Sequence, residues 1–370
     1  MVGRIRPVGT GGRSPPTGSR PTLRIGVIAS IAHRLPPRSY GPWEQIASTL
    51  TEGFVARGHE VTLFATADSV TAATLHPTAP AGYEEDGDVD ASVWGGLHIA
   101  AAFEAAEGLD LLANHFDFLP LTYSRLVATP VVTTVHGFSS PAILPVFETY
   151  DDIAHYVSIS DADRSPLLHY DATIHHGIDV RSFTPVVDGA PGAYLLFLGR
   201  IHPDKGTHRA IEVARRAGLP LIIAGIVQDA RYFEERVRPL VDGRAVSYVG
   251  PVGPAERDRL LGGALALLHL IDFDEPFGLS VVESLACGTP VVAFARGSLP
   301  ELIRDSVTGF LVNDEDSAVS AVSRVAGLDR RVCRREAEQR FGADRMVDEY
   351  LGLFERVVGG WGPGTDAVRG

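Results

Sequence analysis

The sequence predicts an α/β protein with two doubly wound domains that face each other across a cleft. Three observations carry that prediction. Short apolar runs alternate with helix-forming stretches along the chain, the pattern of parallel strands covered by helices on both faces. That alternation occurs as two series, separated by a Gly/Pro-rich stretch at Asp188–Gly192. The length of 370 residues and 45% hydrophobic content are enough for two cores.

In the first series, Leu23–Ser30 (LRIGVIAS) reads as a buried strand. Helix follows over Glu44–Ala56, where Ile46, Leu50 and Phe54 recur every four residues. Gly58 ends it, and Glu60–Thr66 supplies the next strand. Leu109–Ala113 and Pro130–Val135 continue the sheet, while residues 76–92 read as an acidic loop. The second series runs through a strand at Ala193–Leu198, a helix at Thr207–Ala217 and a strand at Pro220–Ala224. Ala245–Val249, Leu265–Leu270 and Pro290–Phe294 are its further strands. Met346, Tyr350, Leu353 (or Phe354) and Val357 line one face of a last helix near Asp344–Val357. The expected organisation is a disordered leader over 1–22, domains over 23–185 and 186–340, a helix over 341–358 packing back on the first domain, and a flexible tail over 359–370.

Charge excludes some partners. The net charge of −13 divides as +4 in residues 1–22, −13 in 23–185 (7 Lys+Arg, 20 Asp+Glu) and −4 in 186–370 (22 and 26). Acidic surfaces repel nucleic acid and anionic lipid, which are held by neutralising phosphates. The leader's Arg4, Arg6, Arg13 and Arg20 surround no apolar signal-peptide centre, and no run of apolar residues is long enough to span a bilayer. Two cysteines, Cys287 and Cys333, offer neither a disulfide framework nor a zinc site. A cytoplasmic protein without nucleic-acid or integral-membrane partners is expected.

Ligands of open α/β sheets bind beyond the carboxyl ends of the strands. After Ala193–Leu198 comes Gly199-Arg200-Ile201-His202-Pro203-Asp204-Lys205-Gly206, two cations around a loop that opens a helix. Such a loop makes an anion site from backbone N–H groups, helix dipole and fixed charge. Lys205 is the only lysine among 33 Lys+Arg residues; lysine gives phosphate a point charge where arginine imposes a planar fork. After Leu265–Leu270, a helix is expected to start near Gly278 and end at Cys287-Gly288. Its first N–H groups, at Leu279 and Ser280, suit a second grip on phosphate. Glu275 and Glu283, eight residues apart, flank that helix start and could accept from hydroxyls on either side of a diphosphate; pairing of Glu283 with an arginine is the alternative. Asp272 and Asp274 form a D-x-D pattern able to hold a metal, but the cations already present fill that role.

Glu275-Pro276-Phe277-Gly278-Leu279…Glu283 and Ala286-Cys287-Gly288-Thr289-Pro290-Val291-Val292 together resemble the E-x7-E segment of glycosyltransferase family 4, which has the GT-B fold of two Rossmann-like domains. Other matches fall in the family's order: Pro37…Tyr40-Gly41-Pro42-Trp43-Glu44, Gly58-His59-Glu60-Val61, Thr134-Val135-His136-Gly137, His176-Gly177-Ile178-Asp179, Gly199-Arg200…Lys205-Gly206, Gly297…Pro300-Glu301 and Thr308–Val312. The likeness covers residues 23–358. It implies a retaining, metal-independent transfer of a hexose-type sugar from a nucleoside diphosphate sugar, a substrate and not a cofactor, to a hydroxyl acceptor that is a small molecule, a glycan or lipid-linked. Arg200 and Lys205 would hold the diphosphate, Glu283 the ribose, and Glu275 and His136 the donor sugar. Gly41, Gly199, Gly278, Leu279 and Ser280 would approach the donor's phosphates and sugar, and Gly250 its base. Pro42 stands where the family commonly has a second glycine, and a proline has no N–H to donate. Ala113-Asn114-His115 replaces a His-x-His pattern, of which His115 matches the second member; a buried, hydrogen-bonded histidine is the alternative there. A dehydrogenase is disfavoured, because the first strand leads into no G-x-G-x-x-G turn. A sugar-nucleotide epimerase or a non-catalytic sugar-nucleotide binder remains open.

Overall fold

A computed structural model describes residues 21–38, 41–137, 141–188 and 192–360. The leader arginines, Tyr40, most of the Asp188–Gly192 linker and most of the expected tail lie outside the described residues. Two sheets organise the rest, and every strand pairing in them is parallel.

The first domain contributes β1 (Arg24–Ala29), β2 (Glu60–Ala65), β3 (Thr74–Pro77), β4 (Leu111–His115), β5 (Val131–Val135), β6 (His155–Ser158) and β7 (Tyr170–Thr173), in the order β3-β2-β1-β4-β5-β6-β7. The second contributes β8 (Leu195–Leu198), β9 (Leu221–Ala224), β10 (Val246–Gly250), β11 (Ala266–His269), β12 (Val291–Phe294) and β13 (Gly309–Val312), in the order β10-β9-β8-β11-β12-β13. In each sheet the winding reverses at one place, between β1 and β4 and between β8 and β11. A crevice opens at such a reversal because successive crossovers leave on opposite faces.

The strands read as continuous apolar runs because helices cover both faces. β4 and β5 are buried at every residue, and among the described residues the strands contribute to three cores in the first domain and two in the second. Four strands depart from the sequence reading. β3 runs into the start of the stretch expected to be a loop, β6 and β7 were not expected, and β13 falls inside a motif given no strand. The segment 76–92 also runs into the helix Ala91–Glu104, whose start is capped by the Asp90 side chain accepting from Val93 N–H.

The chain crosses between domains twice, and the crossings pair with each other. Ile178 N–H donates to Phe341 O at 2.9 Å, and Ala343 N–H donates to Ile178 O at 2.9 Å. Past that point the helix Ala343–Gly360 buries Met346, Val347, Tyr350, Leu353 and Phe354 in the first domain's core beside the helix Pro42–Ala56. Tyr350 Oη lies 2.8 Å from Thr134 Oγ1, beneath the end of β5. The last helix therefore fastens the floor of the cleft.

Candidate functional site

The carboxyl ends of the strands at both reversals face one cavity of about 470 Å³, lined by residues of both domains. From the first domain come Pro37, Gly41, Pro42, Trp43, Gln45, His136, Gly137 and His176; from the second come Gly199, Arg200, Lys205, Pro251, Val252, Arg257, His269, Phe273, Glu275, Gly278, Leu279, Ser280 and Glu283, among others.

β8 delivers Gly199 and Arg200 to the rim, where Arg200 Nη1 donates to Gln228 Oε1. One 3₁₀ turn later, Lys205 points back across the end of β11. Gly206 makes that return possible: its φ is 69°, and a Cβ there would collide with Leu270 O. Lys205 Nζ reaches 2.7 Å from Glu275 Oε2 and sits 4.5 Å from the Phe273 ring centroid. His269, the last residue of β11, places Nε2 3.2 Å from the same Oε2. Both contacts converge on one carboxylate oxygen, and Oε1 carries neither. Burial alone would raise the Glu275 carboxyl; the His269 hydrogen bond and the Lys205 charge outweigh it and hold the group at about 2.

The Glu275 turn is backed on both sides. Gly297 (φ 53°) packs on the Glu275 backbone too closely for any side chain. Ser160 Oγ of the first domain donates to Pro276 O at 2.7 Å. The Glu301 carboxylate accepts from Asp161 N–H at 3.0 Å, from Ala162 N–H at 2.8 Å and from His175 Nε2 at 2.8 Å. The two domains thus clamp the loop that carries Glu275.

The helix Leu279–Ala286 follows Gly278, which has φ 96° and offers no side-chain cap. Leu279 and Ser280 therefore point first-turn N–H groups at the cavity without a side chain competing for them. One turn in, Glu283 is buried with Oε1 3.0 Å from Arg257 Nη1. Burial raises its pKa and Arg257 opposes that rise. The arginine pairing raised as an alternative for Glu283 is present, within a carboxylate that still lines the cavity.

Two of the expected residues fall outside the lining, His115 as the buried, hydrogen-bonded alternative raised for it, and a third reaches the lining without a free nitrogen. Gly250 does not line the cavity: it ends β10 at φ 81° with its carbonyl accepting from Gly225 N–H at 2.8 Å, and Pro251 and Val252 face the cavity in its place. His115 is also outside the lining; it is buried at the end of β4, with Nδ1 3.0 Å from His136 Nε2. His136 lines the cavity, but its Nδ1 is taken too, 3.3 Å from His176 Nε2. It therefore presents its ring rather than a free nitrogen. Asp272 is exposed and engaged with Arg209 at 2.6 Å. Among the described residues no group of three or more His, Cys, Asp or Glu is placed to hold a metal ion.

Sequence reasoning missed Trp43, His176, Arg257, His269 and Phe273 as cavity residues. Trp43 and His176 lay within quoted motifs, and His269 and Phe273 sit within six residues of Glu275. Arg257 carried no local signal, since it reaches Glu283 from the separate helix Pro254–Gly263.

Comparison with known proteins bears on the fold and on the second domain. Residues 189–338 match the family model described as glycosyl transferases group 1. The D-inositol 3-phosphate glycosyltransferase of Mycolicibacterium smegmatis is 31% identical over 232 residues, covering 58% of this chain and 52% of that protein. The Mycobacterium marinum protein of the same name is 28% identical over 238 residues, covering 58% and 50%. The chain spans about half the length of these curated relatives. Among solved structures, the glycosyltransferase AviGT4 of avilamycin A biosynthesis superposes with a TM-score of 0.69 at 23% identity, covering 91% of this chain and 98% of that one. Sucrose-phosphate synthase from Thermosynechococcus elongatus gives 0.77 at 18%, covering 91% and 100%. Anabaena HepE in complex with UDP and glucose gives 0.68 at 18%, covering 90% and 100%. The chain has the GT-B arrangement of two Rossmann-like domains, and its second domain matches the glycosyl transferases of group 1.

Proposed function

We propose that the chain moves a hexose-type sugar from a nucleoside diphosphate sugar to a hydroxyl acceptor, in the cytoplasm, with retention of anomeric configuration, as a member of glycosyltransferase family 4. The observation that carries this reading is the convergence of Arg200, Lys205, the Leu279–Ala286 helix start and the carboxylates of Glu275 and Glu283 on one interdomain cavity. The match of residues 189–338 to group 1 supports it. The mycobacterial relatives are named for glycosyl transfer, and the HepE structure holds UDP and glucose, so a UDP-sugar is the first donor to try.

Arg200 and Lys205 hold the diphosphate from the second domain, assisted by the N–H groups of Leu279 and Ser280, with Gly199 and Gly278 allowing close backbone approach. Gly41 brings the first domain's loop toward the phosphates. Glu283 accepts from the ribose, and Glu275 Oε1 from the sugar. Pro251 and Val252 take the place of Gly250 beside the base. The bond between the sugar's C1 and the diphosphate oxygen breaks with its electron pair leaving on that oxygen. The acceptor oxygen joins C1 on the same face, and its proton passes to the departing phosphate. Lys205 and Arg200 stabilise the charge that grows there, and the clamped domains align the acceptor. No cofactor is needed, because the nucleotide sugar is consumed. Transfer runs without a metal, since side-chain cations already face the phosphates. The acceptor is a small molecule, a glycan or a lipid-linked hydroxyl, with neither nucleic acid nor an integral membrane contact required; no helix of the described residues is long and apolar enough to cross a membrane.

Thermal shift with UDP, GDP, ADP and dTDP identifies the donor base, because a ligand of the folded state raises its melting point. NMR of the product from the corresponding nucleotide sugar then reads the anomeric configuration. A retained configuration and turnover in EDTA are expected. Inversion overturns the stereochemical assignment, and loss in EDTA restored by Mn²⁺ overturns metal independence.

A further inference from the structure

His136 is held at both ring nitrogens by other histidines. His115 Nδ1 approaches its Nε2 at 3.0 Å, and His176 Nε2 approaches its Nδ1 at 3.3 Å. The three rings come from the end of β4, the residue after β5 and the segment after β7, and all are buried. A neutral imidazole has one donor and one acceptor, so these two bonds use all that His136 has. Burial holds His115 at about 4 and His176 at about 3, and burial with its two neighbours holds His136 well below the usual histidine range. The chain is uncharged at neutral pH. Its tautomers are therefore locked in step: if His115 donates to His136, His136 donates to His176, or all three run the other way.

With both nitrogens occupied, what His136 offers the cavity is the carbon surface of its ring. Trp43 stacks on it with centroids 5.3 Å apart and planes 20° apart, and both rings line the cavity. Around them the described residues of the first-domain wall include Pro37, Pro42, Gln45 and Gly137 and no Lys, Arg, Asp or Glu. Among the described residues, formal charge in the cavity comes from the second domain. A neutral ring with C–H groups on one face fits the Trp43–His136 part of this wall, while the cations that hold a phosphate lie across the cavity in the second domain.

Resting on the reading of the cavity as a nucleotide-sugar site, we propose that His115 and His176 are positioning residues that lock a Trp43–His136 aromatic platform, and that the donor's sugar ring rests on this platform while the second domain grips its diphosphate. His136 then discriminates by ring contact and not by a hydrogen bond to the sugar.

The test uses amide isosteres. Asparagine places its amide near the position of histidine Nδ1, and glutamine near Nε2, and either amide can donate or accept. His115→Asn and His176→Gln therefore keep the chain, while His115→Leu and His176→Leu break it. Titration calorimetry with UDP against UDP-glucose, and GDP against GDP-mannose, separates the platform from the phosphate grip. The leucine variants, and Trp43→Ala, should weaken nucleotide-sugar binding by roughly three- to tenfold, the range of one aromatic contact, and leave the nucleoside diphosphate within about twofold. His115→Asn, His176→Gln and Trp43→Phe should recover most of the loss. Equal weakening of both ligands, or no weakening of the sugar nucleotide, overturns the proposal. Imidazole ¹⁵N NMR of the ligand-free protein gives a second readout: one fixed neutral tautomer at His136, averaged in His115→Leu. Averaging already present in the wild-type protein overturns the locked chain. Failure of the wild type to bind any of these probes, and ADP and dTDP besides, overturns the nucleotide-sugar reading itself and removes the platform's ligand, whatever the NMR shows.

Discussion

Lys205 Nζ lies 2.7 Å from Glu275 Oε2, although seventy residues separate them in the chain. The pair joins the loop after β8 to the loop after β11 across the point where the second sheet reverses. Glu275 keeps a second partner in His269, so removing the lysine does not strand the carboxylate. Lys205→Ala should lower kcat by about 10²–10³, the usual effect of deleting one preorganised electrostatic contact. Lys205→Arg should not restore it, because a planar fork cannot replace one compact charge between Glu275 and the Phe273 ring. Turnover assays beside calorimetric melting curves check this; near-normal turnover in Lys205→Ala removes the lysine from the chemistry.

Glu283, which is buried, and Arg257, which is half-buried, form a second ion pair in the cavity. Glu283→Gln retains the shape and one acceptor oxygen but loses the charge assistance that a carboxylate gives to hydroxyl donors, about 1.5–3 kcal/mol per bond. Nucleoside diphosphate affinity should fall by roughly ten- to a hundredfold in titration calorimetry. An unchanged affinity places the ribose elsewhere.

Gly53 on the Pro42–Ala56 helix packs directly under Val347 of the last helix, and a Cβ at Gly53 would collide with Val347 Cγ2. Gly53→Ala should destabilise the protein by about 1–3 kcal/mol through overpacking. Val347→Ala in the same chain should recover part of that loss, and a double-mutant cycle in urea reads the coupling. Additive effects would mean that the two helices do not meet there.

Asp163 lies in the turn clamped by Glu301, with Oδ2 buried and unpaired among the described residues. Burial, and then the Glu301 charge, raise its pKa from 3.8 to about 7. Between those values the folded state keeps a proton that the unfolded state has lost. Stability therefore falls as pH rises through that window and stays lower above it. Asp163→Asn should raise the melting temperature at pH 8, with the gain shrinking toward pH 4. A gain independent of pH contradicts the assignment.

Much of the architecture was legible because local chemistry and long-range packing agree. The Thr207–Ala217 helix was read at its observed bounds, and the strands at both reversals are apolar runs buried on two faces. β3 and β7 were not legible for the opposite reason. They are sheet edges of four residues each, largely exposed or half-buried, so no apolar run marks them. β13 is apolar, but its GFLV run is only four residues long, too short to tell from a helix segment by periodicity. Within the cavity, several residues inside or beside motifs, Trp43, His176, His269 and Phe273, went unassigned because a motif marks a segment and not which of its side chains turns inward, and residues that arrive from elsewhere carried no signal at all. Arg257 meets Glu283 from 26 residues away, and the His115–His136–His176 chain spans three crossovers. No spacing rule reports such meetings, because they depend on where whole strands end relative to one another. The saturated nitrogens of His136 were illegible for the same reason.

The central claim is that a cationic pocket built mainly by the second domain grips two linked phosphates. Titration calorimetry of UDP, GDP, ADP and dTDP against the intact protein, up to millimolar concentration, tests it most directly. The account expects saturable binding of at least one of them, weakened about tenfold or more by Lys205→Ala, as fits loss of a charge-assisted contact. Absence of binding by all four, or binding indifferent to Lys205, would contradict it.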